Sequence, residues 1–174
     1  MAPLDLNHLP SCSIDFPLEL TPDEIVPLSG PINTLLKGSY LLGAAFETDA
    51  IFNSLFDIAE EIARVETCGL LKRSEVDPNG WEVAILRSPG PPPDPEHALH
   101  HIAPGAIACH FGKAVLLDPD REESFRETCD AWGSRSLLSC PIRRDRDIVG
   151  ALVFGKKESH PFTNVQVKLL WVLA

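Results

Sequence analysis

The middle of the chain carries a group of side chains that can bind metals. Histidine is the commonest metal ligand in proteins, and cysteine thiolate is a soft one. His97 and His101 are four residues apart, so one helical turn would place them on the same face. A haem or metal site is therefore one interpretation, although the spacing matches no closed zinc pattern and histidines of a proline-rich loop are ordinarily exposed. The group consists of His97, His100, His101, Cys109 and His110.

The cysteines indicate a reducing compartment. There are five of them, an odd number with no CxxC pair, which argues against a disulfide framework. Cys140 falls in a predicted strand and is expected in the core. Other catalytic signatures are missing, since the sequence contains no P-loop, GxGxxG, HExxH or GxSxG motif.

Composition limits the classes of function. The chain has 174 residues, 44% of them hydrophobic, enough for one domain with its own core. Its net charge of −10 argues against binding to nucleic acid or to an anionic membrane. No apolar run is long enough to span a bilayer, and the N-terminus does not resemble a secretory signal. We expect a cytoplasmic protein.

These residues must be positioned by an alternation of helices and strands. Residues 1–28 are rich in proline and predict an extended arm, and residues 29–174 predict one domain. The domain begins with two helices, at about 31–46 and from Thr48, where an apolar stripe repeats at helical spacing. Residues 88–104 predict an irregular loop with at most one helical turn near 96–102, and a short helix is expected at 105–112. Strands are expected at 68–72, 81–87, 114–118, 136–142 and 148–154, and a polar helix at 120–132.

The last segment predicts a helix that continues beyond residue 174. Thr163 and Gln166 have the spacing of a capping box, and Phe162 can pack on Val167 as a hydrophobic staple. The apolar stripe then runs to Ala174 without a stop signal. We therefore expect this helix to lead to a further domain.

Four stretches, in this order, resemble the GAF family over roughly residues 30–174. The first is a main packing helix that leads into the first strand, and the second is a turn with a strand and an aspartate. The third is a Gly-x-x-Ser before an apolar strand and a proline, and the fourth is a closing strand before a Pro-Phe-Thr helix entry. Their sequences are FNSLFDIAEEIARVETCGLL (52–71), GKAVLLDPDRE (112–122), GSRSLLSCPI (133–142) and RDIVGALVFGKKESHPFT (146–163).

The resemblance implies a fold and a mode of action. The fold is α+β and GAF/PAS-like, an antiparallel sheet of five or six strands with helices on both faces. Terminal helices of such domains commonly pair into a homodimer. A small-molecule pocket is implied on one sheet face, covered here by residues 88–110 and 119–135. Members bind cyclic nucleotides, bilins, haem, metals, amino acids or nothing, so the fold does not identify the ligand.

The resemblance also gives candidate site residues. Cys109-His110 is similar to the Cys-His pair of bilin-binding members, but it precedes a different strand. Cys129-Asp130-Ala131 is similar to a stretch of the GAF-fold free methionine sulfoxide reductases. The resemblance implies that a Cys129 thiolate would attack a sulfoxide, and that Cys109 would have to lie close by to resolve the adduct. Asp118, Arg135 and Ser136 would lie at strand ends around the pocket, or would form a structural cap and ion pair. The candidate ligand-binding residues are His97, His101, Cys109, Asp118, Cys129, Arg135 and Ser136.

The sequence therefore predicts a regulatory module and not a complete enzyme. We expect a small-molecule-sensing and dimerising domain of a larger signal-transduction protein, such as a histidine kinase of a two-component system, a cyclic-nucleotide signalling enzyme or a transcriptional regulator. A C-terminal output domain and a small-molecule effector are the expected partners. The alternatives are a haem or metal sensor that uses the 97–110 segment, a sulfoxide reductase, and a ligand-free dimerisation domain.

Overall fold

An antiparallel sheet lies at the centre of the fold, and the helices pack against it. The computed structural model describes residues 13–14, 30, 48–74, 76–77, 80–88, 98–158 and 162–174. Its six strands are arranged in the order β1-β4-β5-β6-β2-β3. The expected α+β class and the antiparallel sheet with helices on both faces are confirmed. The strands are β1 (Ser13–Ile14), β2 (Thr67–Arg73), β3 (Trp81–Arg87), β4 (Ala114–Leu117), β5 (Ser136–Arg144) and β6 (Asp147–Lys156).

Helices cover both faces of the sheet. One layer holds α2 (Ala98–Phe111), a 3₁₀ turn (Glu123–Phe125) and α3 (Arg126–Ala131), and the other holds α1 (Thr48–Ala63) and α4 (Asn164–Leu173). None of the helices in the described part of the chain combines the length and the apolarity needed to cross a bilayer. The expected helix at 31–46 and nearly all of the proline-rich arm lie outside the described residues. Of that arm, Ser13 and Ile14 pair with β4.

The side-chain alternation of β5 and β6 gives each helical layer its own core. In β6, Ala151 and Val153 point toward α2 and α3, whereas Leu152 and Phe154 point toward α1 and α4. This is the period of two that any strand imposes on its side chains. Both faces of β5 and β6 are therefore buried, which explains why the sequences of these strands are nearly continuous apolar runs.

The two predicted hairpins are present, and their turns show why. Gly80 donates its backbone N–H to the carbonyl of Asp77, which closes the turn between β2 and β3. In the turn between β5 and β6, Asp145 has a φ of 60°, the left-handed conformation that aspartate and asparagine tolerate better than most residues. A register irregularity follows Ile142 in β5.

The prediction that the chain stays irregular up to residue 104 is wrong, because helix α2 already begins at Ala98. The structure has one continuous helix from Ala98 to Phe111, with Pro104 inside it. Proline removes the N–H that would bond to the carbonyl four residues earlier, here that of His100. A side chain from outside the helix, the indole of Trp132, donates to that carbonyl instead. The tertiary contact therefore compensates for a residue that normally ends a helix.

The segment 120–132 is also different from the prediction of a single polar helix. The backbone carbonyl of Asp118 accepts N–H groups of Arg121 and Glu122, which makes a turn in place of a first helical turn. The helix proper begins only at Arg126. It ends at Ala131, one residue before the predicted end, and Gly133 shortly after it has a φ of 60°, the left-handed conformation typical of a helix C-terminus.

Candidate functional site

The face of the sheet beneath α2 and α3 brings together part of the predicted site. His101, Cys109 and Cys129 are all buried on this side of the sheet. Asp118 follows β4 directly and is also buried. His97 lies outside the described residues, so the predicted pairing of His97 with His101 stays a prediction.

Arg135 and Ser136 do not point into this group. The side chain of Arg135 is exposed, while its backbone N–H donates to the carbonyl of Lys156. Ser136 lies two residues before Leu138, whose side chain belongs to the core beneath α1 and α4. By strand alternation Ser136 faces that same layer, on the opposite side of the sheet from His101.

Trp132 organises the contact between α2, α3 and the sheet. Its side chain is 2% exposed, and its indole N–H donates to the carbonyl of His100 over 3.2 Å. The ring of His101 lies 5.7 Å from the indole ring, at a tilt of 47°. The hydroxyls of Thr67 and Ser134 both donate to the carbonyl of Trp132. The sequence analysis did not single out Trp132. Pro104 inside an apolar helical run was the available signal that another donor had to reach this helix.

His100 links α2 to α3 through its side chain. Its Nδ1 lies 3.2 Å from the hydroxyl oxygen of Thr128, and its Nε2 lies 3.8 Å from a carboxylate oxygen of Glu127. Both partners belong to α3. The remaining described histidine of the segment, His110, is exposed and stacks edge-on against Phe111. Across the described ranges, no three His, Cys, Asp or Glu side chains are grouped so as to hold a metal ion.

Cys109 and Cys129 are held apart and are poor nucleophiles. The thiol of Cys109 donates to the carbonyl of Gly150 over 3.3 Å, and that of Cys129 lies 3.9 Å from the carbonyl of Leu117. Burial raises the pKa of each thiol to about 12, with Asp130 and Asp118 adding to the rise for Cys129. Little thiolate therefore exists near neutral pH.

The strand register shows how far apart the two carbonyls lie that these thiols contact. Leu117 is opposite Leu137, and Gly150 is opposite Ile142. These two positions are separated by five residues of β5, which corresponds to roughly 16 Å along an extended strand. A cysteine oxidised by a sulfoxide at one of these positions could not form a disulfide with the other without a large rearrangement.

The carboxylate of Asp118 bonds to residues of its own loop. Its carboxylate accepts the backbone N–H of Asp120 over 3.0 Å and lies 3.6 Å from the guanidinium of Arg121. It therefore stabilises the turn that precedes α3, and its ion pair is with Arg121 and not with Arg135. A ligand would have to compete with these local bonds.

Ser139 is a polar group on this face that the sequence analysis did not single out. It is fully buried, and its cross-strand neighbours Val115 and Val153 both belong to the core beneath α2. Within the described residues, its hydroxyl oxygen has no hydrogen-bond partner. Leaving such a group unsatisfied costs about 1–3 kcal/mol, so a water or a ligand atom at this point would be favoured. A single serine inside an apolar run gives no signal of this kind in sequence.

Comparisons with known proteins give a matching family model and several similar folds. A family model described as GAF domain matches residues 47–174. The GAF domain of a phosphoenolpyruvate-protein phosphotransferase from Acinetobacter superposes with a TM-score of 0.61 at 17% identity, covering 82% of this chain and 86% of that one. The corresponding domain from Coxiella burnetii gives 0.61 at 14% identity, covering 83% and 88%.

Signalling kinases provide a further structural likeness. The GAF domain of a two-component sensor histidine kinase from Bacillus halodurans superposes with a TM-score of 0.56 at 15% identity, covering 74% of this chain and 89% of that one. At such identities the likeness concerns the fold alone. No curated protein sequence matches the chain.

Proposed function

Because the chain belongs to the GAF domain family, we propose that it is the regulatory, small-molecule-sensing and dimerising domain of a larger cytoplasmic signal-transduction protein. The output domain would follow the terminal helix, and a histidine kinase, a cyclic-nucleotide signalling enzyme or a transcriptional regulator would fit that role. The occurrence of the same fold in sensor kinases and phosphotransferases supports the proposal.

The observation that carries the proposal is that β5 and β6 are buried on both faces by different helical layers. On one side, Ser139 presents an unsatisfied hydroxyl to the α2 layer. On the other side, Leu138 and Phe154 support α1 and α4. A ligand that bonded to Ser139 would act on the same two strands against which the terminal helices pack.

The mechanism is a shift between two arrangements of packed elements. Helix α2 packs on β5 and β6, and α1 packs on α4. A ligand between α2 and the sheet would alter how α2 sits on these strands, and so would bias the position of α4. The change needed is small because packed layers move between discrete arrangements.

Dimerisation would use the outer surface of α4. Val172 is 59% exposed, and its neighbours Trp171 and Leu173 are partly exposed. Apolar residues that remain exposed on a terminal helix favour association with a second copy.

The proposed role is not catalytic. The two cysteines that a sulfoxide reductase would need contact carbonyls at sheet positions roughly 16 Å apart along β5, and burial raises the pKa of both thiols. The geometry therefore supports sensing over thiol chemistry.

Native mass spectrometry of the 174-residue chain tests the proposal, together with two matched variants. We expect a dimer for the wild type, monomers for Val172→Asp, and dimers for Val76→Asp, which alters an even more exposed valine in the β2–β3 turn. Soaking with a metabolite mixture should add a mass that Ser139→Ala loses. A monomer that retains no small molecule under any of these conditions would contradict both parts of the proposal.

A further inference from the structure

Lys156, at the end of β6, is a buried cation. The residue is only 4% exposed, although lysines are rarely buried to this extent without a charged partner. Its Nζ lies 3.2 Å from the side-chain oxygen of Gln166 and 5.1 Å from the centre of the Phe162 ring. In the part of the chain that the structure describes, no carboxylate forms an ion pair with it.

The surroundings of Lys156 do not compensate for its burial. Desolvation lowers the pKa of the ammonium group, and the more distant carboxylates of Glu158 and Glu66 oppose this shift only in part. The nearby charge of Arg64 lowers the pKa further. A buried ammonium group whose direct contacts are a neutral amide and an aromatic ring is favourably placed to accept an anion.

Ser136 lies beside Lys156 with an unused hydroxyl. The two residues are direct cross-strand partners in β5 and β6, so their side chains leave the sheet on the same face at close range. Ser136 is 3% exposed, and among the described residues its hydroxyl oxygen has no hydrogen-bond partner. Among the described residues, an unsatisfied hydroxyl and an ammonium group without a carboxylate in ion-pair contact are thus buried side by side.

The first turn of α4 adds a third favourable group. Gln166, which contacts Lys156, is also the third residue of this helix and forms a capping box with Thr163. Its side-chain oxygen accepts the N–H of Thr163, and its own N–H donates to the Thr163 hydroxyl. The N-terminus of a helix carries the positive end of the helix dipole, so it favours an anion as well.

We propose that Lys156, Ser136 and the first turn of α4 form a binding site for a small oxyanion, either a phosphate group or a carboxylate. The site lies on the α1/α4 face of the sheet, opposite the face proposed for the effector. It is therefore a second site, and its existence does not depend on the first. Lys156 supplies the charge, Ser136 supplies a hydroxyl donor, and an occupant adjoins the helix that would lead to the output domain.

An NMR titration of the 15N-labelled 174-residue chain tests this, with inorganic phosphate in one arm and acetate in the other. We expect saturable shifts of the backbone amides of Ser136, Asn164 and Val165 in at least one arm. The arm that saturates identifies the ligand class. The matched variants are Lys156→Met, which keeps an unbranched stem of similar length, and Lys157→Met, which removes an exposed lysine next to it.

The variants decide the outcome. Lys156→Met should weaken binding about ten-fold or more because a charge-assisted bond is lost, and Lys157→Met should leave it unchanged. Ser136→Ala, a smaller change, should weaken binding several-fold and serves as the test if Lys156→Met does not fold. Shifts that do not saturate, or that are equal in Lys156→Met and the wild type, would overturn the proposal and indicate only diffuse association of ions with the surface. A dimer with an effector but no oxyanion binding would refute this site alone.

Discussion

The indole ring of Trp132 lies directly on Gly69, in the space that a side chain at position 69 would occupy. An added Cβ there would be 2.5 Å from the Cη2 atom of Trp132, closer than real Cβ contacts come. The absent side chain of one residue thus makes room for the ring of another, 63 positions later in the chain. Trp132 directly follows α3 and Gly69 lies in β2, so this contact ties the end of α3 to the sheet.

Gly69→Ala is expected to destabilise the domain by about 1–3 kcal/mol, because the added methyl group would overlap the buried indole of Trp132. Urea unfolding followed by tryptophan fluorescence measures the change. Gly30→Ala is the control, since an added Cβ at that position meets no atom within 4 Å. Equal stabilities for the two variants would show that the ring adapts.

Trp132→Phe is expected to cost more when Pro104 is present than when it is replaced. Phenylalanine keeps most of the ring but loses the N–H that bonds to the carbonyl of His100, which costs about 1–3 kcal/mol if that carbonyl stays buried and unpaired. Pro104→Ala supplies a backbone N–H to the same carbonyl. A double-mutant cycle with urea unfolding measures the coupling. Strictly additive effects would mean that the indole N–H contributes nothing to the helix.

The buried thiols of the folded domain should react slowly with thiol reagents. Cys109 and Cys129 each have a pKa of about 12 through burial, so very little thiolate is available near pH 8. We expect Ellman's reagent to label the buried cysteines only as the protein unfolds, with the labelling rate rising in urea. Cys109→Ser and Cys129→Ser identify each contribution. Rapid labelling of Cys129 in the folded state would instead favour the sulfoxide reductase interpretation.

Stability should fall as the pH rises above about 9. The pKa of the Cys129 thiol is about 9 when unfolded and about 12 when folded. Because the unfolded state then ionises first, the stabilisation is complete below pH 9 and is lost progressively up to pH 12. Thermal melts at several pH values measure this. Cys129→Ala should reduce the slope in that window, and an unchanged slope would show that other groups account for it.

The fold was largely predictable from local patterns, whereas the site was not. The apolar stripe of α1, the Asp77–Gly80 turn and the Thr163 capping box each act within a few residues, so the sequence reveals them. The predicted extent of α2 was wrong because Trp132 replaces the hydrogen bond that Pro104 cannot make. That contact joins distant positions of the chain, so local patterns do not reveal it.

The placement of the candidate site residues needed the sheet register as well. Ser136 and Ser139 are three residues apart in one strand, so they face opposite helical layers. Sequence order could include Ser136 among the candidates, but it could not tell which layer it faces. The environment of Lys156 likewise depends on a helix that follows the strand, and its lack of a carboxylate partner is visible only once the fold is assembled.

The order of the strands also determines when the domain can fold during its synthesis. The strand β2 pairs with β6 on its inner edge, where Thr67 is opposite Gly155. Until residues up to Lys156 have left the ribosome, the β2–β3 hairpin has no neighbour on that edge, and the apolar stripe of α1 has no complete sheet to cover. Pairings between such distant residues form slowly and leave strand edges open to other chains. The nascent domain is therefore most exposed to aggregation just before its central strand emerges.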